Sequence, residues 1–153
     1  MPEYVTSDGL RRLEEELEEF RTSRRRGVAE YLKLATEVGG TVDNAEYEDA
    51  KRQQASVEGR IMDLERLLQN AVAVPDHQTP PETVEIGATV TVTNESGART
   101  EYMLVGSHEA DPLEGRISYG SPVGSALMGK RVGERAEAKT PAGLLRLTIE
   151  KIL

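Results

Sequence analysis

The segment G-G-T-V-D-N-A-E-Y, from Gly39 to Tyr47, separates two long segments with helical patterns and so determines how they can pack. Gly39 and Gly40 suit the end of a first helix. Asp43 or Asn44 offers a side-chain oxygen that can cap the start of a second helix. Two helices joined by so short a reversal are expected to pack against each other in antiparallel orientation.

Apolar residues on both sides of this turn recur with the seven-residue period of a coiled coil. The predicted seam comprises Leu10, Leu13, Leu17, Phe20, Tyr31, Leu34 and Val38 before the turn, and Tyr47, Ala50, Gln54, Val57, Ile61, Leu64, Leu68 and Ala71 after it. Arg24 and Gly27 interrupt the seam, and Thr6, Ser7 and Asp8 offer cap oxygens at its start. The pattern predicts an antiparallel coiled-coil hairpin over residues 1–74, with an acidic tip at 39–47.

Composition changes after Val74, where P-D-H-Q-T-P-P-E begins. Proline cannot continue a helix, so residues 75–83 are predicted to be a linker. In residues 84–153, Val and Thr alternate along short runs, N-E-S-G at 94–97 reads as a turn, and Ser121 with Pro122 marks a helix start. We therefore expect a small β-sheet with one short helix, and an α+β class for the whole chain.

The overall composition excludes several classes of protein. The 153 residues carry a formal net charge of −8 and contain no Cys. Free-standing DNA binding is not expected from so acidic a chain, and disulfide scaffolds and Cys-based zinc sites are excluded. We find no secretory signal and no apolar run of about 20 residues, so a cytoplasmic protein without membrane association is expected. The sequence contains no phosphate-binding loop, nucleophile motif or His-containing triad, so an intrinsic enzymatic activity is not expected.

Three motifs in combination resemble the bacterial Gre transcript-cleavage factors of the GreA type. They are D-N-A-E-Y-x-x-A-K-x-Q-Q (43–54), E-G-R-I-M-D-L-E (58–65) and S-P-V-G-S-A-L-M-G-K (121–130). The resemblance implies that residues 84–153 form an FKBP-like domain that holds the rim of the secondary channel of bacterial RNA polymerase. It also implies that the coiled coil enters this channel and places its tip at the polymerase active centre.

The resemblance further implies how such a tip works. Its carboxylates help to bind a second Mg²⁺ and to position a water, so that the polymerase itself hydrolyses the 3′ end of a backtracked RNA. Two-metal sites stabilise both the attacking and the leaving oxygen in such displacements. The chain would have no cofactor or stably bound metal of its own, and it would act as a monomer.

The family pattern assigns candidate residues to each role. The metal-directing carboxylates are Asp43 and Glu46, and Asn44 and Tyr47 support the tip. The candidates for polymerase binding are Ser121, Pro122, Leu127 and Gly129. The candidates for contact with the nascent RNA 3′ end are Arg24, Arg25, Lys51 and Arg52.

The basic residues also have an ordinary interpretation, in which they form i,i+4 pairs with Glu on exposed helix faces. Both interpretations remain open at this point. Arg24 occupies a seam position, where its charge either weakens the coiled coil or faces a polar partner such as Gln54 or Glu58.

The tip departs from the family pattern D-L-x-E-N-A-E-Y. Gly40 stands where the family has its first catalytic Asp, Thr41 replaces Leu, and Asp43 replaces Glu. Since misplacement by about 1 Å can cost about a hundredfold in rate, these changes should compromise cleavage. One alternative is a non-cleaving Gre-like homologue that inhibits or modulates the polymerase. An alternative from another class is a scaffold or chaperone, with a peptide-binding FKBP-like domain and a dimerising coiled coil.

Overall fold

A computed structural model describes residues 2–39 and 45–153, without the side chains of residues 38 and 39. The chain divides into two compact units. One unit comprises Arg11–Asn70, and the other combines Met1–Leu10 with Ala71–Leu153. The first is helical and the second is dominated by β-structure, so the predicted α+β class is confirmed.

The helical unit is an antiparallel hairpin. Its elements are α1 (Ser7–Glu19), a π-helical turn (Phe20–Arg24), α2 (Arg25–Gly39) and α3 (Ala45–Asn70). Ion pairs join Arg21 to Glu65 and Arg25 to Glu58, so residue numbers rise along one arm as they fall along the other. The predicted hairpin is therefore present.

The core of the hairpin lies between α1 and α3. Leu13, Leu17, Ile61 and Leu64 are buried together, and Phe20, Val57, Leu67 and Leu68 pack partly buried around them. In this section the seven-residue pattern places the seam correctly, because the apolar residues recur on one face of each helix.

The π-helical turn displaces the seam of α2 by one residue. The backbone N–H of Arg25 donates to the carbonyl of Phe20, five residues earlier, so this turn holds one residue more than an α-helical turn. The residues of α2 that follow this turn are therefore rotated about the helix axis. Ala35 is 2% exposed, whereas Leu34 is 57% exposed. The prediction that Leu34 lies in the seam is wrong, since a seven-residue count assumes an uninterrupted α-helix.

Two short strands flank the hairpin and belong to the other unit. β1 (Glu3–Thr6) pairs in parallel with β2 (Ala71–Val74), with Glu3 opposite Ala71 and Thr6 opposite Val74. The sequence pattern assigned both segments to the hairpin over residues 1–74, which differs from this division. The sequence did not predict this pairing because the two strands lie about seventy residues apart, and a pairing over that distance produces no local periodicity.

The larger sheet has the strand order β5-β4-β3-β7-β6. Its strands are β3 (Thr89–Asn94), β4 (Arg99–Val105), β5 (Arg116–Ser118), β6 (Arg135–Thr140) and β7 (Gly143–Ile152), and the short helix α4 is Pro122–Leu127. Val90, Val92, Leu104, Leu127 and Ile149 are buried in its core. The strands and the helix that alternation and the Ser-Pro start predicted in residues 84–153 are therefore present.

Candidate functional site

The first turn of α3 carries the acidic side chains that the structure describes near the tip. Glu46 and Glu48 both lie in this turn and both are exposed. Negative side chains are favoured here because the helix N-terminus carries a partial positive charge. Asp43 and Asn44, the other predicted tip residues, lie outside the described residues. Of the two predicted metal-directing carboxylates, the structure thus describes Glu46.

Tyr47 lies in the first turn of α3, and Lys51 lies one turn further along the same helix. Tyr47 is half-buried, and the Lys51 ammonium lies 5.8 Å from the centroid of its ring, which is a cation–π geometry. The Lys51 ammonium also lies 3.5 Å from the side-chain oxygen of Gln54. Lys51, although exposed, is therefore oriented along its own helix.

Asp49 connects α3 to α2. Its Oδ2 accepts hydrogen bonds of 3.1 Å from the Tyr31 hydroxyl and of 3.1 Å from the Gln53 amide. The hydrogen bond to Asp49 raises the pKa of Tyr31, and desolvation and the negative charges of Asp49 and Glu46 act in the same direction. Sequence reasoning missed both Tyr31 and Asp49 as site residues, because a tyrosine in a seam pattern reads as packing.

Several arginines of the hairpin are paired with acidic side chains. Arg25 makes two hydrogen bonds to Glu58, Nε to Oε1 at 2.8 Å and Nη2 to Oε2 at 2.9 Å. This pairing raises the pKa of Arg25 and lowers that of Glu58. The Arg52 guanidinium approaches Asp49 at 4.0 Å on the same helix. The candidates for RNA contact therefore include side chains whose charge is already partly neutralised.

Arg24 faces neither Gln54 nor Glu58, the two polar partners that the sequence suggested for it. Its guanidinium lies 3.4 Å from the Glu19 carboxylate and 5.2 Å from the centroid of the Phe20 ring. The π-helical turn explains the difference, because its extra residue rotates the helix so that Arg25 lies beside Glu58. Among the described residues, Arg26 and Lys33 are exposed and form no ion pair.

Ser121 organises the start of α4 in the other unit. Its hydroxyl oxygen accepts a 3.1 Å hydrogen bond from the Gly124 N–H, while its O–H donates to the Ser118 carbonyl at 2.6 Å. Pro122 follows at the first helical position and is exposed. A Cβ on Gly124 would lie 1.9 Å from the Ser118 carbonyl oxygen, so only glycine fits this approach. Ser121 and Pro122 are thus presented on a rigid turn.

The other two candidates for polymerase binding have different surroundings. Leu127 is fully buried in the core of the sheet domain, so it is not available for direct contact with a partner. Gly129 is exposed and has a φ of +78°, a left-handed conformation that favours glycine. Its N–H donates to the Val84 carbonyl at 2.9 Å, so it joins the end of α4 to the segment that precedes β3.

Within residues 2–39 and 45–153, no group of three or more His, Asp or Glu side chains could hold a metal ion. His77 and His108 each lie near a single carboxylate, Glu85 and Glu3 respectively. No helix in the described part of the chain is both long and apolar enough to cross a membrane.

Comparison with known families assigns both units. Residues 3–72 match the family "Transcription elongation factor, N-terminal", and residues 78–153 match "Transcription elongation factor, GreA/GreB, C-term". The chain therefore belongs to the GreA/GreB family of transcription elongation factors, and the predicted Gre-type function is confirmed at this level. The scaffold or chaperone alternative is not favoured.

Individual relatives are similar over nearly their full length. The chain is 45% identical to "Transcription elongation factor GreA" of Thermoanaerobacter pseudethanolicus over 152 residues, which is 99% of this chain and 97% of the relative. It is 45% identical to the protein of that name from Chloroflexus aggregans, with the same coverage. A solved structure, the GreA factor homolog 1 (Gfh1) protein of Thermus thermophilus, is 30% identical and covers 100% of this chain and 99% of its own, with a TM-score of 0.45. At this TM-score the superposition carries no weight, and family membership rests on the sequence matches.

Proposed function

We propose that this chain binds bacterial RNA polymerase through its secondary channel and acts on backtracked or paused complexes. The hairpin enters the channel with the first turn of α3 leading, and the sheet domain contacts the rim through Ser121 and Pro122. The observation that carries this proposal is the exposed carboxylate of Glu46 at the end of a family-typical hairpin. The protein works in the cytoplasm as a monomer.

The chemistry belongs to the polymerase, and the chain has no nucleolytic centre or cofactor of its own. A second Mg²⁺ in the polymerase active centre supplies charge stabilisation for in-line displacement at the RNA 3′ end. Mg²⁺ is held by oxygen ligands and commonly takes one or two protein carboxylates. Glu46 offers such oxygens on an exposed side chain.

A second candidate function is a non-cleaving factor that modulates the polymerase by occupying the channel. The observation that favours it is Gly40, which offers no carboxylate where the family pattern has Asp. Asp43 offers a side chain one methylene shorter than the Glu of that pattern. Both candidates share polymerase binding and differ in whether the RNA is shortened.

The nascent RNA 3′ end is the proposed partner of the basic residues. Lys51 and Arg52 are exposed on α3 close to Glu46 in sequence, and Arg26 and Lys33 add exposed positive charge on α2. Arg24 and Arg25 would have to exchange a carboxylate for a phosphate, because they are paired with Glu19 and Glu58.

The test is RNA cleavage in stalled, backtracked polymerase complexes, combined with competition against a cleavage-active GreA. The unaltered chain should displace GreA from the polymerase; a chain that does not compete overturns the proposal. The double variant Gly40→Asp/Asp43→Glu should cleave faster than the unaltered chain by about a hundredfold. Equal rates would overturn our interpretation of the tip.

A matched pair of variants tests Glu46 itself. Glu46→Gln and Glu48→Gln remove the same charge from the same helix turn. In the Gly40→Asp/Asp43→Glu background, only Glu46→Gln should reduce cleavage strongly. Equal losses from both variants would show that general negative charge, and not the Glu46 carboxylate, is what matters.

A further inference from the structure

The hydrogen bond between Tyr31 and Asp49 ties the two helices of the hairpin together beside the acidic first turn of α3. The Tyr31 hydroxyl lies 3.1 Å from Asp49 Oδ2, and 18 residues of chain separate the two. Asp49 follows Glu46 by three residues, so both side chains lie on the same face of α3. Restraining Asp49 therefore restrains the direction in which Glu46 points.

Among the described residues near this end of the hairpin, the fully buried side chains are small. They are Ala35 on α2 and Ala50 on α3, which are 2% and 0% exposed. The cluster around Leu13 and Leu64 buries much larger side chains farther along the hairpin. Because burial energy grows with apolar area, these two alanines contribute little to fixing the rotation of α3. A directional contact such as a hydrogen bond can set it.

The other contacts of Asp49 do not supply that restraint. Gln53 and Arg52, which lie 3.1 Å and 4.0 Å from its carboxylate, belong to the same helix and cannot fix α3 against α2. Tyr31 reaches Asp49 from the opposite helix. Glu46, by contrast, is exposed and forms no hydrogen bond or ion pair with another described residue.

We propose that Tyr31 is a positioning residue for the tip, which orients Glu46 through its hydrogen bond to Asp49. This inference rests on the proposed function, in which Glu46 acts inside the polymerase. Tyr31 lies outside the motifs that carried the family resemblance. Asp49 occupies a variable position (x) of the motif at 43–54, and the resemblance assigned it no function. The tie is a feature of this chain's own side chains.

The experiment compares Tyr31→Phe, Asp49→Ala, their combination, and Asp49→Asn, with Tyr102→Phe on β4 as the control for loss of a phenolic hydroxyl. The first readout is hydrogen exchange of the backbone amides of residues 46–50 in the free protein. Tyr31→Phe and Asp49→Ala should each speed exchange by about two- to fivefold. Asp49→Asn keeps an acceptor oxygen and should stay near the unaltered rate, and the double variant should be no faster than either single variant.

The second readout separates tip function from binding. In the Gly40→Asp/Asp43→Glu background, Tyr31→Phe should lower the cleavage rate at saturating factor by about tenfold. The concentration that half-displaces GreA should stay within about twofold of the unaltered value, since Ser121 and Pro122 are untouched. A merely structural role would change both quantities together.

The outcomes are distinct. If Tyr31→Phe changes neither amide exchange nor the saturated rate, or if Asp49→Asn behaves like Asp49→Ala, the inference is overturned. If the unaltered chain does not compete with GreA, the proposed function fails, while amide exchange still decides whether Tyr31 orders the first turn of α3.

Discussion

The carboxylate of Glu109 accepts a 3.0 Å hydrogen bond from the backbone N–H of Thr6, although 103 residues separate them. The same carboxylate accepts from the Gly106 N–H at 2.9 Å and from the Thr6 hydroxyl. The Thr6 hydroxyl oxygen in turn accepts from the Gly9 N–H at 3.0 Å and so caps α1. Glu109 thus fixes the point at which β1 ends and α1 begins.

We expect Glu109→Gln to destabilise the sheet domain by about 1–3 kcal/mol. The Glu109 side chain is 6% exposed and all its close partners are donors, so an amide N–H₂ would face another donor without access to water. The measurement is urea unfolding of the full chain. Glu101→Gln, on the exposed side of β4, is the control, and an equal midpoint for the two variants would contradict the expectation.

Gly124→Ala should destabilise the sheet domain by about 2 kcal/mol, because its Cβ would overlap the backbone carbonyl of Ser118. Gly59→Ala is the matched control, since nothing lies within 4 Å of a Cβ there. In α3 this substitution should instead stabilise the protein by up to about 1 kcal/mol. Thermal unfolding of both variants checks the opposite signs. A stabilised Gly124→Ala variant would show that the Ser118 turn yields without cost.

Deleting Ser23 should be tolerated within about 1 kcal/mol, because it removes the extra residue of the π-helical turn and leaves Val28 and Ala35 facing α3. Deleting Glu30, an exposed residue of the regular part of α2, should cost at least about 2 kcal/mol, since Ala35 then rotates out of the seam. Chemical unfolding followed by circular dichroism measures both. Equal losses would argue against the one-residue displacement.

The pair formed by Arg25 and Glu58 makes hairpin stability depend on pH in the acid range. The hydrogen bond from Arg25 lowers the pKa of Glu58 from its ordinary value of 4.5. A lowered carboxyl pKa adds stability that is present above the unfolded pKa and is lost as the pH falls through the folded one. Unfolding midpoints should therefore drop below about pH 4.5, and less so in Glu58→Gln than in Glu14→Gln. Identical pH profiles for these two variants would contradict the assignment.

The sequence predicted those features whose cause is local. Thr6 was one of three predicted cap residues for the first helix, and Ser121 was predicted to start a helix, because in both places the cap oxygen and the helix start are adjacent in the sequence. The strands of the sheet domain followed from alternating Val and Thr. The section of the seam from Leu13 to Phe20 followed from spacing alone.

The features that the sequence did not predict depend on contacts between residues far apart in the sequence or on an irregular backbone. The pairing of β1 with β2 and the contact of Glu109 with Thr6 join segments that lie far apart along the chain. The π-helical turn moved Leu34 out of the seam and gave Arg25 the place expected for Arg24. For the tip, the motif located Glu46, but the link from Tyr31 to Asp49 required the relative rotation of two helices.

The parallel pairing of β1 with β2 has a consequence for how the hairpin can change. β1 ends at Thr6 and β2 begins at Ala71, so the hairpin is an insertion between two paired strands about 4.8 Å apart. Equal numbers of residues can be added to its outgoing and returning arms, at about 10 Å of helix for every seven on each side, without changing the pairing of β1 with β2. The length of the hairpin can thus change by insertion or deletion while these two strands stay paired.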